Sequence, residues 1–284
     1  MRYSAIVVYY RLGDAFAQTL DALEAQTSRA TRTYVVDNSP QDGVVARIRA
    51  RGLSADVEVV SPNRNGGYAA GMNVGAAHAR DDDSEYLLIL THEVLLGPDC
   101  VEEMLRVAKD TQAVVIGPTL FTPDGGVWSS GATVDWRGGA RHRRSHPSAP
   151  TDVDWLDGAC LLVRAKDFHD CGGFDESYFL YWEDVDFCLT LGERGRIVIA
   201  PAASATQAPS TNPPLYYVAR NRLWLWRRRG EKLKTVLSVG EISIWAVLWV
   251  LRKRGRDAGR DLKEILRGVR DGLASSPARA AAPR

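Results

Sequence analysis

The chain has 284 residues, with 36 Lys+Arg against 35 Asp+Glu and a formal net charge of +1 at pH 7. At 45% hydrophobic and 25% charged, it has an ordinary globular composition, which excludes a disordered tail, a collagen and a disulfide mini-protein. The near-neutral total excludes a globally basic nucleic-acid binder, and the length suits one large domain or two small ones.

The first apolar run, Ala5–Tyr10, is too short for a signal peptide, lacks a small-residue cleavage site and reads as a strand. Asp14–Gln26 has helical spacing, with Phe16, Leu20 and Leu23 on one face. Thr33–Val36 reads as a strand that stops at the turn Asp37-Asn38-Ser39-Pro40. A short helix over Val44–Arg51 and a strand over Val57–Ser61 follow, and Asn65-Gly66-Gly67 opens a helix through Asn73 to Ala79. Tyr86–Leu90 is wholly apolar and reads as a central strand. Such β-α-β alternation predicts an α/β fold, a mostly parallel Rossmann-like sheet with helices on both faces. Ligands of such sheets bind beyond the carboxyl ends of the strands. Asp37, Asn65–Asn73 and Thr91-His92-Glu93 all fall just past strand ends.

The second half is less regular. Pro98–Ala108 reads as a helix, Val114–Thr119 as a strand, and the Gly/Arg/Trp-rich stretch Gly125–Arg144 as a mobile loop or hairpin region. Ala159–Val163 reads as a strand, Lys166–Cys171 as a short helix, Phe187–Arg194 as a helix and Ile197–Ala200 as the last strand. Cys100, Cys160, Cys171 and Cys188 lack zinc-site spacing and read as reduced, packed thiols, which fits a cytoplasmic protein.

Charge is uneven along the chain. Arg227-Arg228-Arg229 and Arg252-Lys253-Arg254 flank the apolar run Val236–Leu251, which Glu241 interrupts. The run is shorter than the roughly 20 apolar residues of a membrane span. It reads as a helix that packs on the domain, on a second subunit in a homodimer, or on the cytoplasmic membrane surface. Ser275–Arg284 reads as a frayed tail.

Two stretches carry the chemistry. Trp182-Glu183-Asp184-Val185-Asp186 places three acids behind an aromatic run. At a helix start the macrodipole is expected to keep them ionised, and an ionised carboxylate in a cleft accepts a hydroxyl proton. A solvated helix start is the plainer reading. The stretch Arg64–Asn73 has glycines that allow close backbone approach, before a helix N-terminus that favours phosphate. A tight strand-to-helix turn without ligand is equally compatible. The stretch lacks the G-x-G-x-x-G spacing and follows the third strand, which disfavours a dinucleotide-dependent dehydrogenase. Asp37 reads either as a partner for a base or ribose or as an Asx-turn.

In this order and spacing, Val35–Ser39, Asn65–Asn73, Thr91-His92-Glu93, Gly158-Ala159, Gly172–Glu176, Tyr181–Asp186 and Tyr216–Arg222 resemble the family 2 glycosyltransferases of the GT-A fold, in particular their rhamnosyltransferase-like branch. The resemblance covers about residues 4–230. It implies a nucleotide-binding half over residues 1–95, an acceptor and catalytic half over 96–212, and a C-terminal helical region over 213–284.

The resemblance further implies an inverting transfer of a sugar, rhamnose or a related deoxysugar, from a dTDP- or UDP-sugar to an acceptor hydroxyl. The acceptor would be a glycan, a lipid-linked glycan or a natural product. Asp184 matches the family's catalytic base. Tyr10, Asp37, Asn65, Gly66, Gly67, Asn73, Thr91 and Gly158 match donor-binding positions, and Asp157, Trp182 and Glu183 fall on the acceptor side. The chain departs from the pattern at the metal site. The Asp-x-Asp-like motif reads Thr91-His92-Glu93, which leaves Glu93 to hold Mg²⁺ or Mn²⁺, and Gln207 stands where relatives carry a metal-ligating histidine. Weak metal dependence is expected, with Arg141–Arg144 helping to neutralise the diphosphate. The altered motif also motivates a second reading: a degenerate member that binds nucleotide or a partner without transferring sugar. An unrelated nucleotide-binding enzyme is a third.

Overall fold

The computed structural model describes residues 1–50, 52, 54–207, 214–252 and 256–274. In chain order these form β1 (Tyr3–Tyr9), α1 (Phe16–Glu24), β2 (Arg32–Asp37), α2 (Val44–Ala50), β3 (Val57–Val60), α3 (Gly67–His78), β4 (Tyr86–Thr91), β5 (Leu95–Leu96) and α4 (Cys100–Thr111). Then come β6 (Val115–Phe121), β7 (Val127–Ser129), β8 (Ala132–Val134), β9 (Ala140–His142), β10 (Thr151–Asp152), β11 (Cys160–Arg164), α5 (Ala165–Asp170), α6 (Glu183–Gly192) and β12 (Ile197–Thr206). The C-terminal helices are α7 (Leu215–Arg228), α8 (Lys232–Arg252) and α9 (Arg256–Leu273).

The main sheet runs β10-β12-β6-β11-β4-β1-β2-β3, with β5 added to β12 and β7 to β6. Strands β4, β1, β2 and β3 are mutually parallel, and β6 is parallel to β12. Strand β11 runs antiparallel between β4 and β6, so the sheet is mixed and mostly parallel. β4 sits centrally, as its unbroken apolar sequence predicts.

Side-chain alternation along β1 builds two cores. Tyr3, Ala5, Val7 and Tyr9 face α1, α2 and α4, while Ile6 and Val8 face Met72 and Ala76 of α3. Burying each large apolar side chain contributes about 1.5–3 kcal/mol before entropy is charged. The second core continues into α5, α6 and the Leu225–Trp226 end of α7. A third cluster joins α7, α8 and α9 through Leu215, Leu223, Ile242, Ala246 and Ile265.

Two details refine the sequence expectations. Of the two readings of Gly125–Arg144, the hairpin region is the one observed: the stretch holds β7 and the antiparallel pair β8–β9. Each of these strands has only three residues, too few to show periodicity. The β8–β9 turn is fixed by Asp135, whose Oδ1 accepts the N–H groups of Arg137 and Gly139. The last strand runs on to Thr206, with a register shift between Ala200 and Ser204 that carries it past Pro201. β5 spans residues 95 and 96, and one sheet serves both halves of the single domain. All four cysteines are free, three of them buried. The tail expected over Ser275–Arg284, together with Lys253 and Arg254, lies outside the described residues.

Candidate functional site

A cleft of about 340 Å³ opens beyond the ends of β4 and β11. Thr91, Glu93, Asp157, Gly158, Trp182, Glu183 and Asp184, all singled out from sequence, line it together with Gln207. They come from four segments: the end of β4, the turn before β11, the start of α6 and the residue after β12.

Asp184 is the second residue of α6. Its Oδ2 accepts the N–H of Gly158 at 3.0 Å and its Oδ1 that of Val185 at 2.8 Å, which fixes the carboxyl at the cleft wall. Burial, then the Asp157 carboxylate, push the Asp184 carboxyl up to about 7. Glu183 beside it is buried, and its Oε2 has no hydrogen-bond partner. Burial, Asp184 and Asp157 drive its carboxyl well above the ordinary range. This corrects the expectation that the helix start keeps these acids ionised. Desolvation and mutual repulsion outweigh the macrodipole and two backbone donors. Only Asp186, 3.0 Å from Arg229, is held as an ion pair.

The loop before α6 is strained. Phe179, Tyr181 and Trp182 have φ of 65°, 67° and 72°, in the left-handed region that side chains avoid. Helix α7 holds it there. Buried Asn221 donates through Nδ2 to the carbonyls of Tyr178, Leu180 and Tyr181 at 3.0, 2.8 and 2.8 Å. Arg220 donates to the Ser177 and Tyr178 carbonyls, and Arg228 pairs with Asp175. None of these contacts, 35 or more residues apart in sequence, leaves a local signal. From α3, the Tyr68 hydroxyl donates to the Gly158 carbonyl and the Tyr68 N–H to the Phe179 carbonyl.

The glycine-rich stretch is largely used by this packing. Gly67 has φ +89°, and a Cβ there would lie 2.1 Å from the Phe179 carbonyl oxygen. A Cβ on Gly71 would meet Val8 and Asn38, and one on Gly75 would meet Ile6. Asn65 accepts the Gly67 N–H at 2.8 Å. Asn73 lines neither cleft: it clamps Phe174 through Nδ2 and Oδ1 and reaches Glu176 at 3.0 Å. Gly66 lines a second cleft of about 390 Å³ with Asn38, Arg64 and Ser177. Asp37 is buried at the end of β2, accepts the Ser39 N–H at 2.9 Å, and is raised by burial. Tyr10 is exposed at the end of β1, under the Arg11 guanidinium.

The far wall of the main cleft holds residues that sequence reasoning did not single out. His142 of β9 lies between the rings of Trp128 and Trp155, with centroids at 5.3 and 4.8 Å. Its Nε2 is 3.8 Å from Asp157 Oδ2, and burial lowers its pKa. Arg141 turns instead to Asp135 at 3.1 Å, and Arg144 lies over Trp128. His142 is therefore the member of that basic run that lines the cleft.

The expected cation position can be tested on its donors. Gln207 Nε2 donates to Glu93 Oε1 at 3.1 Å, and Gln207 Oε1 and Thr91 Oγ1 are buried without partners. His92 presents Nδ1 to the Val8 carbonyl at 3.0 Å, and Nε2 lies 3.7 Å from Glu93. These are oxygen donors suited to Mg²⁺ or Mn²⁺, with one carboxylate among them. Among the described residues, no cluster of three His, Cys, Asp or Glu is placed to hold a metal.

The family described as Glycosyl transferase family 2 matches residues 4–172, more than half the chain. The chain is 29% identical over 227 residues to the N-acetylglucosaminyl-diphospho-decaprenol L-rhamnosyltransferase of Mycobacterium tuberculosis, covering 70% of this chain and 73% of the relative. It is 48% identical over 56 residues to rhamnosyltransferase WbbL of Escherichia coli, which covers 19% of this chain and 21% of that protein. Among solved structures, Staphylococcus aureus TarS 1–349 in complex with UDP superimposes with a TM-score of 0.60 at 15% identity, covering 95% of this chain and 81% of that one. GalNAc-T7 with UDP, GalNAc and Mn²⁺ superimposes at 0.64 with 14% identity; the match covers 81% of this chain and spans half of the GalNAc-T7 chain. These likenesses give the fold as GT-A.

Proposed function

The chain belongs to glycosyl transferase family 2, and from that membership we propose that it transfers rhamnose or a related deoxysugar from a nucleoside diphosphate to an acceptor hydroxyl, with inversion. One observation carries the mechanism. A carboxyl raised to about 7, held by the Gly158 N–H, lines the main cleft, which is open to an acceptor. A base with that affinity for a proton is matched to neutral pH.

Asp184 takes the acceptor's hydroxyl proton as the oxygen bonds the anomeric carbon. The bond from that carbon to the diphosphate breaks on the opposite face, and its electron pair leaves on the nucleoside diphosphate. Burial and the neighbouring acids favour the protonated form of Glu183, which limits negative charge beside the attacking oxygen. A lipid-linked acceptor is favoured by the decaprenol-linked substrate in the name of the M. tuberculosis relative. Mg²⁺ or Mn²⁺ at Glu93, with the Gln207 and Thr91 oxygens on the same wall, would neutralise the leaving diphosphate. With one carboxylate in the set, binding there is weak.

The test is a thermal-shift panel of dTDP, UDP and their sugars, followed by transfer assays with and without Asp184→Ala. Ligand binding to the native state raises apparent stability by mass action. The proposal expects a dTDP-selective shift and a loss of turnover of about 10²–10⁴-fold in the variant. Undiminished turnover in Asp184→Ala would remove it as the base. Donor binding without turnover on any acceptor would favour the non-catalytic reading.

A further inference from the structure

Helices α8 and α9 present a surface outside both clefts. Along α8, Val236, Ile244, Val247 and Leu251 are 68%, 64%, 59% and 68% exposed, and Leu233 and Leu248 lie open beside them. Their spacing of three, four and seven or eight residues places them on one helical face. Thr235, Ser238, Ile242 and Ala246, buried on the other face, turn toward the protein. Along α9, the exposed cations Arg260, Lys263, Arg267 and Arg270 recur at the same period.

Three acids of these helices are engaged by donors of the protein. Glu241 accepts from Arg222 at 2.6 Å, Asp261 from Trp249 Nε1 at 2.8 Å, and Asp271 from the Tyr216 hydroxyl at 3.0 Å. Glu264 is only partly exposed, beside Arg260 at 3.9 Å. Among residues whose exposure is described, the acids of α8 and α9 are at most partly exposed, the Glu264 side chain at 41%, whereas several cations and leucines lie open. An ordinary solvated helix mixes both signs. No described helix is long and apolar enough to cross a membrane.

We propose that α8 and α9 dock the protein on an anionic lipid surface. The apolar face of α8 enters the boundary between headgroups and acyl chains, and the α9 cations meet lipid phosphates. Charge decides between this occupant and a second copy of the chain. Two copies related by a twofold axis would bring the exposed cations of α9 together, with Glu264 as the most open described acid available to pair them. The same helical unit reaches the catalytic cleft, since Val218 of α7 lines it and Asn221 holds the loop before α6. Docking would bring that cleft close to the lipid surface.

The test needs no turnover, so it stands apart from the transfer reading. The full chain is sedimented with vesicles of phosphatidylcholine alone or mixed with phosphatidylglycerol. Binding is expected on the mixed vesicles, weakened by salt. Lys263→Ala and Arg260→Ala should each lower partition roughly fivefold. Ile244→Glu combined with Val247→Glu should abolish it with an unchanged circular dichroism spectrum and Tm. The proposal is overturned if the chain ignores anionic vesicles, or if the glutamate variant binds like the parent. It is also overturned if light scattering finds a dimer that this variant dissociates while neither form binds vesicles.

Discussion

Gln207 Nε2 donates to Glu93 Oε1 at 3.1 Å, joining the acid expected to hold a cation to the residue that stands where a metal-ligating histidine was expected. The amide takes up part of the carboxylate that a divalent cation would need. Turnover is therefore expected to survive EDTA with a loss of less than about tenfold. Gln207→His offers an imidazole in place of the amide and should tighten Mn²⁺ binding by about 10–100-fold. Calorimetric titration of Mn²⁺ into both proteins reads the change. Equal affinity would separate Gln207 from the cation site.

The pH dependence of transfer follows from Asp184. Its carboxyl, raised to about 7, is protonated and inactive as a base below that pH. kcat/KM should rise with pH through about 7 and level off above it. In Asp184→Asn the residual rate should lose that step. A profile already flat at pH 5.5 in the parent would contradict the assignment.

The same carboxyl makes a stability prediction of opposite sense. A raised native pKa means that the folded chain holds more protons than the unfolded chain between about pH 4 and pH 7, so its contribution falls as pH rises through that window. Asp184→Asn removes the charge and keeps one acceptor oxygen for the two N–H groups of Gly158 and Val185, so one of those bonds is lost. Because Asp184 is only half-buried, the gain is discounted to about 1 kcal/mol at pH 8, roughly 2–4 °C in Tm, vanishing near pH 4. Calorimetry of both proteins at the two pH values checks it.

Much of the site was legible because its parts are local. The strand ends at Thr91 and the acids at Glu183–Asp184 each announce themselves within a few residues, and the cleft gathers them. The titration of those acids was not legible. It depends on Asp157, brought against α6 by the turn before β11, and on burial that no local pattern reports. The glycines of α3 were legible as a need for close approach, but not as to what approaches. The structure supplies Phe179, Val8 and Ile6 from this chain. His142 was hidden because three-residue strands have no periodicity to show which side chains turn inward.

Asn221 gives the sharpest test of how the loop before α6 is held. The two N–H bonds of one buried amide are shared among three carbonyls of a segment whose Phe179, Tyr181 and Trp182 each carry about 1–3 kcal/mol of backbone strain. Asn221→Ala leaves those carbonyls with fewer donors and lets the strain relax, shifting Glu183 and Asp184. Stability should fall by about 2–4 kcal/mol in urea unfolding. In protein that remains folded, kcat should fall by about 10²-fold. Donor KM should change little, because Asn221 lines neither cleft. Loss of stability with kcat intact would show that α7 supports the fold without aiming the base.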